Sequence, residues 1–530
     1  MGDVERAAVV VRSLFLLDVD LGLWAMEQDG VVPAVCALSF SSSAVAQSLC
    51  SDVLGDMAGT EKGRGLINSE VRDTLQRLLD GRIASVRSGA ALTLSKLQAG
   101  TKAGDIDAGK AAELLATVCA LVRDGASVAV SDMSGMEVAA RGVEALSCLA
   151  VHTSVKNTLS KDAATLAALL RIAETLTRVA GKPASGNAAL NITASPTMYG
   201  VASVLLNVTL SLSAQQEAKL REMDISREQW EEFQKLTLSA TGGNAGVDPP
   251  EAVESRVRLV LDGGALKTLT ALTSASERMA ALADERSGGT GKGARPGEPT
   301  RECVAQTFLN LTTHEWTRGQ VVQAGGLRTL VALARDNTAK GKGLATQALS
   351  QVLITTNAAL IPDSQVMDTI GPLVAATRAD SQLQQFEACM ALTNLASIGS
   401  ATKRRIIAEK GLSALEYCQF SDHDMVRRAG TEALANLAVT EEGAALVCGK
   451  RVKLWLALSR DWEADELTAS AAAGAIAMAT TDDPEAAAKV VDAGGISTMF
   501  EVIMSGKPGL QHRAVVALEN LVPAVGGKAK

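Results

Sequence analysis

Aromatic side chains are scarce in this chain. Phe, Tyr and Trp together make up 3% of its 530 residues. Alanine, leucine and valine dominate instead, which favours helices in close contact over a sheet sandwich. Histidine is nearly missing. The four, His152, His314, His423 and His512, lie far apart, and no two share a helical turn. The H-E-x-x-H and Cys/His spacings of a zinc site are therefore absent. None of the eight cysteines (Cys36, Cys50, Cys119, Cys148, Cys303, Cys389, Cys418 and Cys448) forms a C-x-x-C pair. Their scatter through apolar stretches reads as reduced core thiols, not a disulfide frame. No G-x-S-x-G elbow occurs. Acidic pairs such as Asp482-Asp483 and Glu441-Glu442 read as solvated charge at helix ends. The expectation is a protein that is not an enzyme and that uses no metal and no cofactor.

Other absences bound its surroundings. The net charge of −8 comes without the clustered Lys and Arg that grip nucleic acid. The N-terminal stretch MGDVERAAVVV carries Asp3 and Glu5 where a signal peptide wants positive charge. Arg6 fills the Ser/Thr position of a myristoylation motif. The longest strongly apolar run, 469–480, is shorter than the roughly 20 residues that span a bilayer. These features predict a soluble, cytoplasmic protein with neither nucleic acid nor membrane as partner. Sequons at Asn191, Asn207 and Asn310 then have no consequence. The GGTGKG stretch fails as a phosphate loop, because Arg286 stands where Gly is needed and Gly293 where Ser or Thr is needed.

What is present is a recurring word. CMALTNLAS places Asn394 near the end of an apolar helical stretch, and the same pattern places Asn310, Gln351, Asn436, Met478 and Asn520. The steps between successive positions are 41, 43, 42, 42 and 42. That period lies in the range of armadillo and HEAT repeats. Each unit reads as a short helix, a glycine break (Gly325-Gly326, Gly411, Gly494-Gly495), a second helix, and a long third helix carrying the word. Upstream the register loosens through Asn207, Cys148 and Lys96. The predicted fold is an all-α, armadillo/HEAT-like helical-repeat solenoid, a superhelix of three-helix repeats of about 42 residues. Residues 1–150 read as N-terminal repeats and 151–530 as a second repeat region. Residues 211–255 read as an insertion with a charged helical segment and a loop, and 285–300 as a flexible Gly-rich linker.

Asparagine in such a helix raises a question of pairing. Buried and unpaired, it would cost roughly 1–3 kcal/mol. On a helical wheel of about 100° per residue, Glu387 and Asn394 point the same way, with Phe386 and Met390 below Asn394 on one side. A helix that is apolar nearly all round packs between neighbours and leaves a narrow strip free. In a solenoid that strip lines the concave binding face. The same offsets select Gln306 and Asn310, Gln347 and Gln351, Arg428, Glu432 and Asn436, and His512, Arg513 and Asn520. Tyr199 and Asn207 repeat the aromatic-to-amide spacing of Phe386 and Asn394. A free side-chain amide can donate to a peptide C=O and accept from an N–H, so the strip is expected to bind extended peptide. The other role open to each asparagine is to tie its own helix to a neighbouring loop.

Several stretches go beyond a generic repeat. LQQFEACMALTNLAS, SPTMYGVASVLLNVT, ESRVRLVLDGGALKTLTAL and LQHRAVVALENLV resemble, in the same order, the UCS-domain family of myosin-directed chaperones. The resemblance covers about residues 195 to 522, and 1–150 resemble the preceding armadillo region of that family. It implies a co-chaperone that holds the myosin heavy chain motor domain in its groove and helps it fold or stay folded. It places the family's groove aromatic at Phe386, where Phe replaces Tyr, and its groove asparagine at Asn394. Animal members dock the ninety-kDa heat-shock chaperone through a tetratricopeptide domain. No 34-residue repeat is visible here, so that partner is expected only indirectly. A homodimer is an allowed assembly. The alternative is an armadillo adaptor without a folding role. A nuclear-import receptor would carry Trp four residues before each groove position, where this chain has Gln306, Gln347, Met390, Glu432, Gly474 and Val516.

Overall fold

The computed structural model describes residues 2–99, 108–128, 132–181, 188–211, 248–287 and 295–526. Their regular structure is helical, and no strand occurs among them. The chain divides into two compact units, Met1–Asn310 and Leu311–Lys530.

In the second unit the predicted three-helix pattern is plain. The first repeat runs through Glu315–Gln323, Gly326–Arg335 and Ala339–Thr355. The third helices that follow are Gln382–Ile398, Asp424–Leu437, Glu466–Ala479 and Pro508–Gly526, and each packs on the one before it. Second helices bury one face: Leu327, Leu330, Val331 and Leu333 recur at three- and four-residue spacing and are at most 6% exposed. Third helices bury most of their circumference. Ala388, Cys389, Ala391, Leu392, Leu395 and Ala396 are all essentially inaccessible. Burying one such leucine contributes about 1.5–3 kcal/mol, so the helix is held by its neighbours far more than by its own propensity.

The breaks are made in a consistent way. Gly325 and Gly494 adopt left-handed backbone, with φ of 76° and 93°, and end the first helix as a C-terminal glycine does. At the third break the left-handed residue is Lys410, φ 64°, one position before the expected glycine. Gly411 serves a different purpose. A Cβ there would lie 2.4 Å from Ile406 Cγ2 and 2.7 Å from the Ile406 carbonyl. So one position supplies the turn and the next supplies the space.

In the first unit Ala44–Ala58, Ala84–Ala99, Met133–Leu149 and Ala188–Thr209 pack in series. Helix reaches into the loop read at the end of 211–255 and into the linker read at 285–300: Pro250–Asp262 begins inside the former, while Ala265–Ser287 and Glu298–Thr312 enter the latter from either side. Pro250 at the first helical turn explains the former start, since its missing N–H is an orphan there anyway. The charged helical segment read from the sequence lies within 212–247, outside the described residues, as do 288–294. Arg256, in the Pro250–Asp262 helix, is fully buried. Its Nε donates to the Val208 carbonyl (2.9 Å), and its two terminal nitrogens donate to the Asp248 oxygens (2.8 and 2.6 Å) and to Asn157 Oδ1 (2.8 Å).

Six of the eight cysteines are buried, and Cys148 and Cys303 are half-buried. Burial pushes the Cys50 thiol up to about 12, which keeps it protonated and inert. No helix among the described residues is long and apolar enough to cross a membrane.

Candidate functional site: an amide strip on the third helices

Four asparagines of the strip, Asn310, Asn394, Asn436 and Asn520, use their NH2 groups on the third helix before their own. Asn394 Nδ2 donates to the carbonyls of Leu353 and Ile354 (3.2 and 2.6 Å). Asn436 donates to the Thr393 carbonyl (3.0 Å), and Asn520 to the Ala477 carbonyl (2.8 Å) and the Thr480 hydroxyl (3.2 Å). In the first unit Asn310 donates to the Leu206 carbonyl (3.4 Å) and Thr209 Oγ1 (3.2 Å). Leu353, Ile354, Ala477 and Leu206 lie in the last turn of their helices, where carbonyls have no further N–H to accept. At Leu353 and Ile354 the amide satisfies carbonyls left over at its neighbour's helix end, whereas Thr393 lies inside its helix and Ala477 also accepts from the Thr480 and Thr481 hydroxyls. Two carbonyls facing one nitrogen also fix which end of the Asn394 amide is which, since only N–H can donate.

This arrangement changes what the strip offers. The sequence suggested an amide free to donate and to accept; the donor half is committed. At Asn394, Asn436 and Asn520 no donor among the described residues reaches Oδ1, and these oxygens are not buried. Asn310 differs, because Gln306 Nε2 donates to its Oδ1 at 3.1 Å. Asn207 differs too: its Nδ2 turns back to the Ser203 carbonyl of its own helix at 3.0 Å. Tyr199, on that helix, is 44% exposed.

Gln351 stands where the others have asparagine and is bonded in the opposite sense. Thr312 Oγ1 donates to its Oε1 (2.8 Å), and its Nε2 donates forward to Glu387 Oε1 (3.1 Å). Glu387 Oε2 is buried without a hydrogen-bond partner. Burial raises the Glu387 pKa, against the opposing pull of the Gln351 and Gln347 amides and of Arg318. Phe386 and Met390 are half-buried on the same helix.

Further along, Arg428 grips Asp465 (3.0 and 3.2 Å). Asp465 also caps the Glu466–Ala479 helix by accepting from the Thr468 N–H at 3.1 Å. Burial works against its charge, but the bonds from Thr468 and Arg428 hold its carboxyl below the ordinary value. Burial raises the Glu432 carboxyl, opposed by Arg428 and Arg513. Arg513 NH1 donates to the Ser470 carbonyl at 2.6 Å, lying over Gly474.

Between these helices lies a cavity of about 570 Å³. Glu432 and Asn436 form one wall and His512 and Arg513 the other; Ala471, Gly474 and Met478 lie between them. Neither Gly474 nor Met478 belonged to the predicted strip. Their signal was legible all the same: ELTASAAAGAIAMA puts Ser470, Gly474 and Met478 at the offsets that carry Arg428, Glu432 and Asn436 on the third helix before it. The structure thus brings Gln351 to Glu387 and gathers Glu432, Asn436 and Arg513 about one cavity, while Arg428 pairs with Asp465. Gln306, Asn310, Tyr199 and Asn207 belong to the first unit.

Stacked three-helix repeats with polar side chains aligned along their third helices define an armadillo-type helical-repeat protein. No family model matches the chain. It is 30% identical over 291 residues to protein unc-45 homolog B of Danio rerio (52% of this chain, 28% of that one). It is 27% identical over 394 residues to the Homo sapiens protein of that name (73% of this chain, 38% of that one). These matches span well under half the length of those relatives. UNC-45 from Drosophila melanogaster superposes with a TM-score of 0.71 at 24% identity (99% of this chain, 61% of that one). The myosin chaperone UNC-45 from C.elegans, solved in complex with a Hsp90 peptide, superposes with a TM-score of 0.67 at 19% identity (95% and 48%). The chain is homologous to unc-45 homolog B over 73% of its length, and its helical-repeat fold is that of the solved UNC-45 structures, in line with the UCS-domain resemblance.

Proposed function

We propose that this chain is a myosin-directed co-chaperone that holds extended or partly unfolded segments of the motor domain against its third-helix strip and promotes their folding. The observation that carries this reading is the homology to unc-45 homolog B across 73% of the chain. The strip supports it: Asn394, Asn436 and Asn520 each leave one carbonyl oxygen unbonded and solvent-facing, as recognition of main-chain N–H groups requires. The ninety-kDa heat-shock chaperone enters this scheme indirectly, through the client or a further partner.

The test is suppression of heat-induced aggregation of a myosin motor domain. Phe386→Ala/Met390→Ala removes two half-buried apolar side chains of the strip and leaves the asparagine ties in place. The double variant should protect the motor several-fold less well than the unmodified chain. Equal protection would sink the assignment of the strip. Binding to the motor without any protection, by either protein, would favour an adaptor.

A further inference from the structure

The cavity over the Glu466–Ala479 helix is where the strip changes character. The preceding third helices present Phe386, Met390 and Asn394, then Arg428, Glu432 and Asn436. This one presents Ser470, Gly474 and Met478, so the strip sinks into a notch. A Cβ at position 474 would stand 3.1 Å from Arg513 NH1 and 3.3 Å from Arg513 Cδ; the absent side chain is what lets Arg513 lie along the wall.

Of the two arginines on the flanking helices, Arg428 is ion-paired with Asp465, and Arg513 gives one N–H to the Ser470 carbonyl and is turned along the wall. Asn436 has spent its NH2 on Thr393. Two acceptors on one helix, a turn apart, stay unanswered: no cation among the described residues lies within ion-pair distance of the Glu432 carboxylate, and no donor among them reaches Asn436 Oδ1. Around them Leu467, Ala471, Ala477, Met478 and Val516 supply apolar surface. An occupant that suits this has a long apolar stem and a tip that only donates. A carboxylate would meet Glu432 unfavourably, and an aliphatic side chain would leave both acceptors unanswered, which costs binding when they are covered. Guanidinium presents five donors in a planar fork and matches a carboxylate beside an amide oxygen better than the point charge of lysine.

We infer that the notch is a specificity subsite for an arginine side chain of the bound segment, with Glu432 and Asn436 Oδ1 receiving its guanidinium. The inference rests on the client-holding reading and sharpens it from backbone capture to selection of segments that bear arginine.

Fluorescently labelled dodecapeptides of Ser, Ala and Gly, each with one central Arg, Lys, norleucine or Glu, test it by anisotropy against the full chain. The Arg peptide should bind at least fivefold more tightly than the norleucine peptide, with Lys between them and Glu weakest. Glu432→Gln should bring the Arg preference below twofold and leave norleucine binding unchanged. The inference is overturned if norleucine or Glu equals Arg, if no peptide binds, or if the preference survives Glu432→Gln. The same preparations are assayed for motor protection. Intact protection without an Arg preference removes only the subsite; an Arg preference without protection removes only the chaperone reading.

Discussion

Arg256 holds Asp248 through two parallel hydrogen bonds of 2.8 and 2.6 Å, with neither side chain exposed. The same guanidinium reaches Val208 and Asn157, so one residue fastens the two flanks of 212–247 together. Breaking such a buried pair from one side leaves an uncompensated charge and costs about 3–5 kcal/mol. Arg256→Met should destabilise the first unit by that much in urea unfolding. Arg256→Met/Asp248→Leu should cost less than the sum of the two single changes, because no orphaned charge is left.

The asparagine ties predict an ordering among substitutions. Asn394→Ala forfeits two donors to the Leu353 and Ile354 carbonyls and should cost about 1–2 kcal/mol. Asn394→Asp points a second acceptor at the same two carbonyls and should cost more than Asn394→Ala, although it changes fewer atoms. Chemical denaturation of the three proteins side by side measures this. Equal stability of the Asp and Asn forms would refute the assigned bond.

Glu387 predicts a pH dependence. Its folded-state pKa is raised, chiefly by burial, so the folded protein holds this proton more tightly than the unfolded one. The sign follows: stability from this group is fully present below the ordinary value of 4.5 and is lost as pH rises towards the folded pKa. Glu387→Gln should therefore raise the unfolding midpoint at pH 7.5, and the gain should shrink as pH falls towards 4.5. A gain that grows on acidification would contradict the burial argument.

Lys410 and Gly411 predict opposite outcomes at adjacent positions. Lys410 pays for a left-handed backbone with φ 64°, which glycine adopts freely, so Lys410→Gly should stabilise by about 0.5–1 kcal/mol. Gly411→Ala forces a Cβ against Ile406 and should destabilise by about 1–3 kcal/mol. Thermal unfolding of both variants checks the pair.

The repeat itself was legible because third helices must be apolar nearly all round, and that requirement prints a word every 41 to 43 residues. The partners of its asparagine were not. They are backbone carbonyls of Leu353, Ile354, Thr393 and Ala477, and a carbonyl is the same whatever residue bears it. Arg256 escaped for a related reason: its bond across 212–247 goes to the Val208 carbonyl, and neither Arg256 nor its partner Asp248 signals burial when read singly. The notch was spelled out in Ser470, Gly474 and Met478, but small residues in a helix read first as close packing. Phe386 and Met390 lie half-buried on the Asn394 helix, and the motor-protection assay tests their part in client binding.

Met478 has no amide to give, so the row of ties along the second unit is interrupted between the Asp424–Leu437 and Glu466–Ala479 helices. What spans that seam instead is the Arg428–Asp465 ion pair. Amide-to-carbonyl bonds are indifferent to ionic strength, whereas a partly exposed ion pair is screened by it. In a linear array each repeat leans only on its neighbours. Raising the salt concentration should therefore loosen this seam before the others, and amide hydrogens on its two sides should lose protection there first.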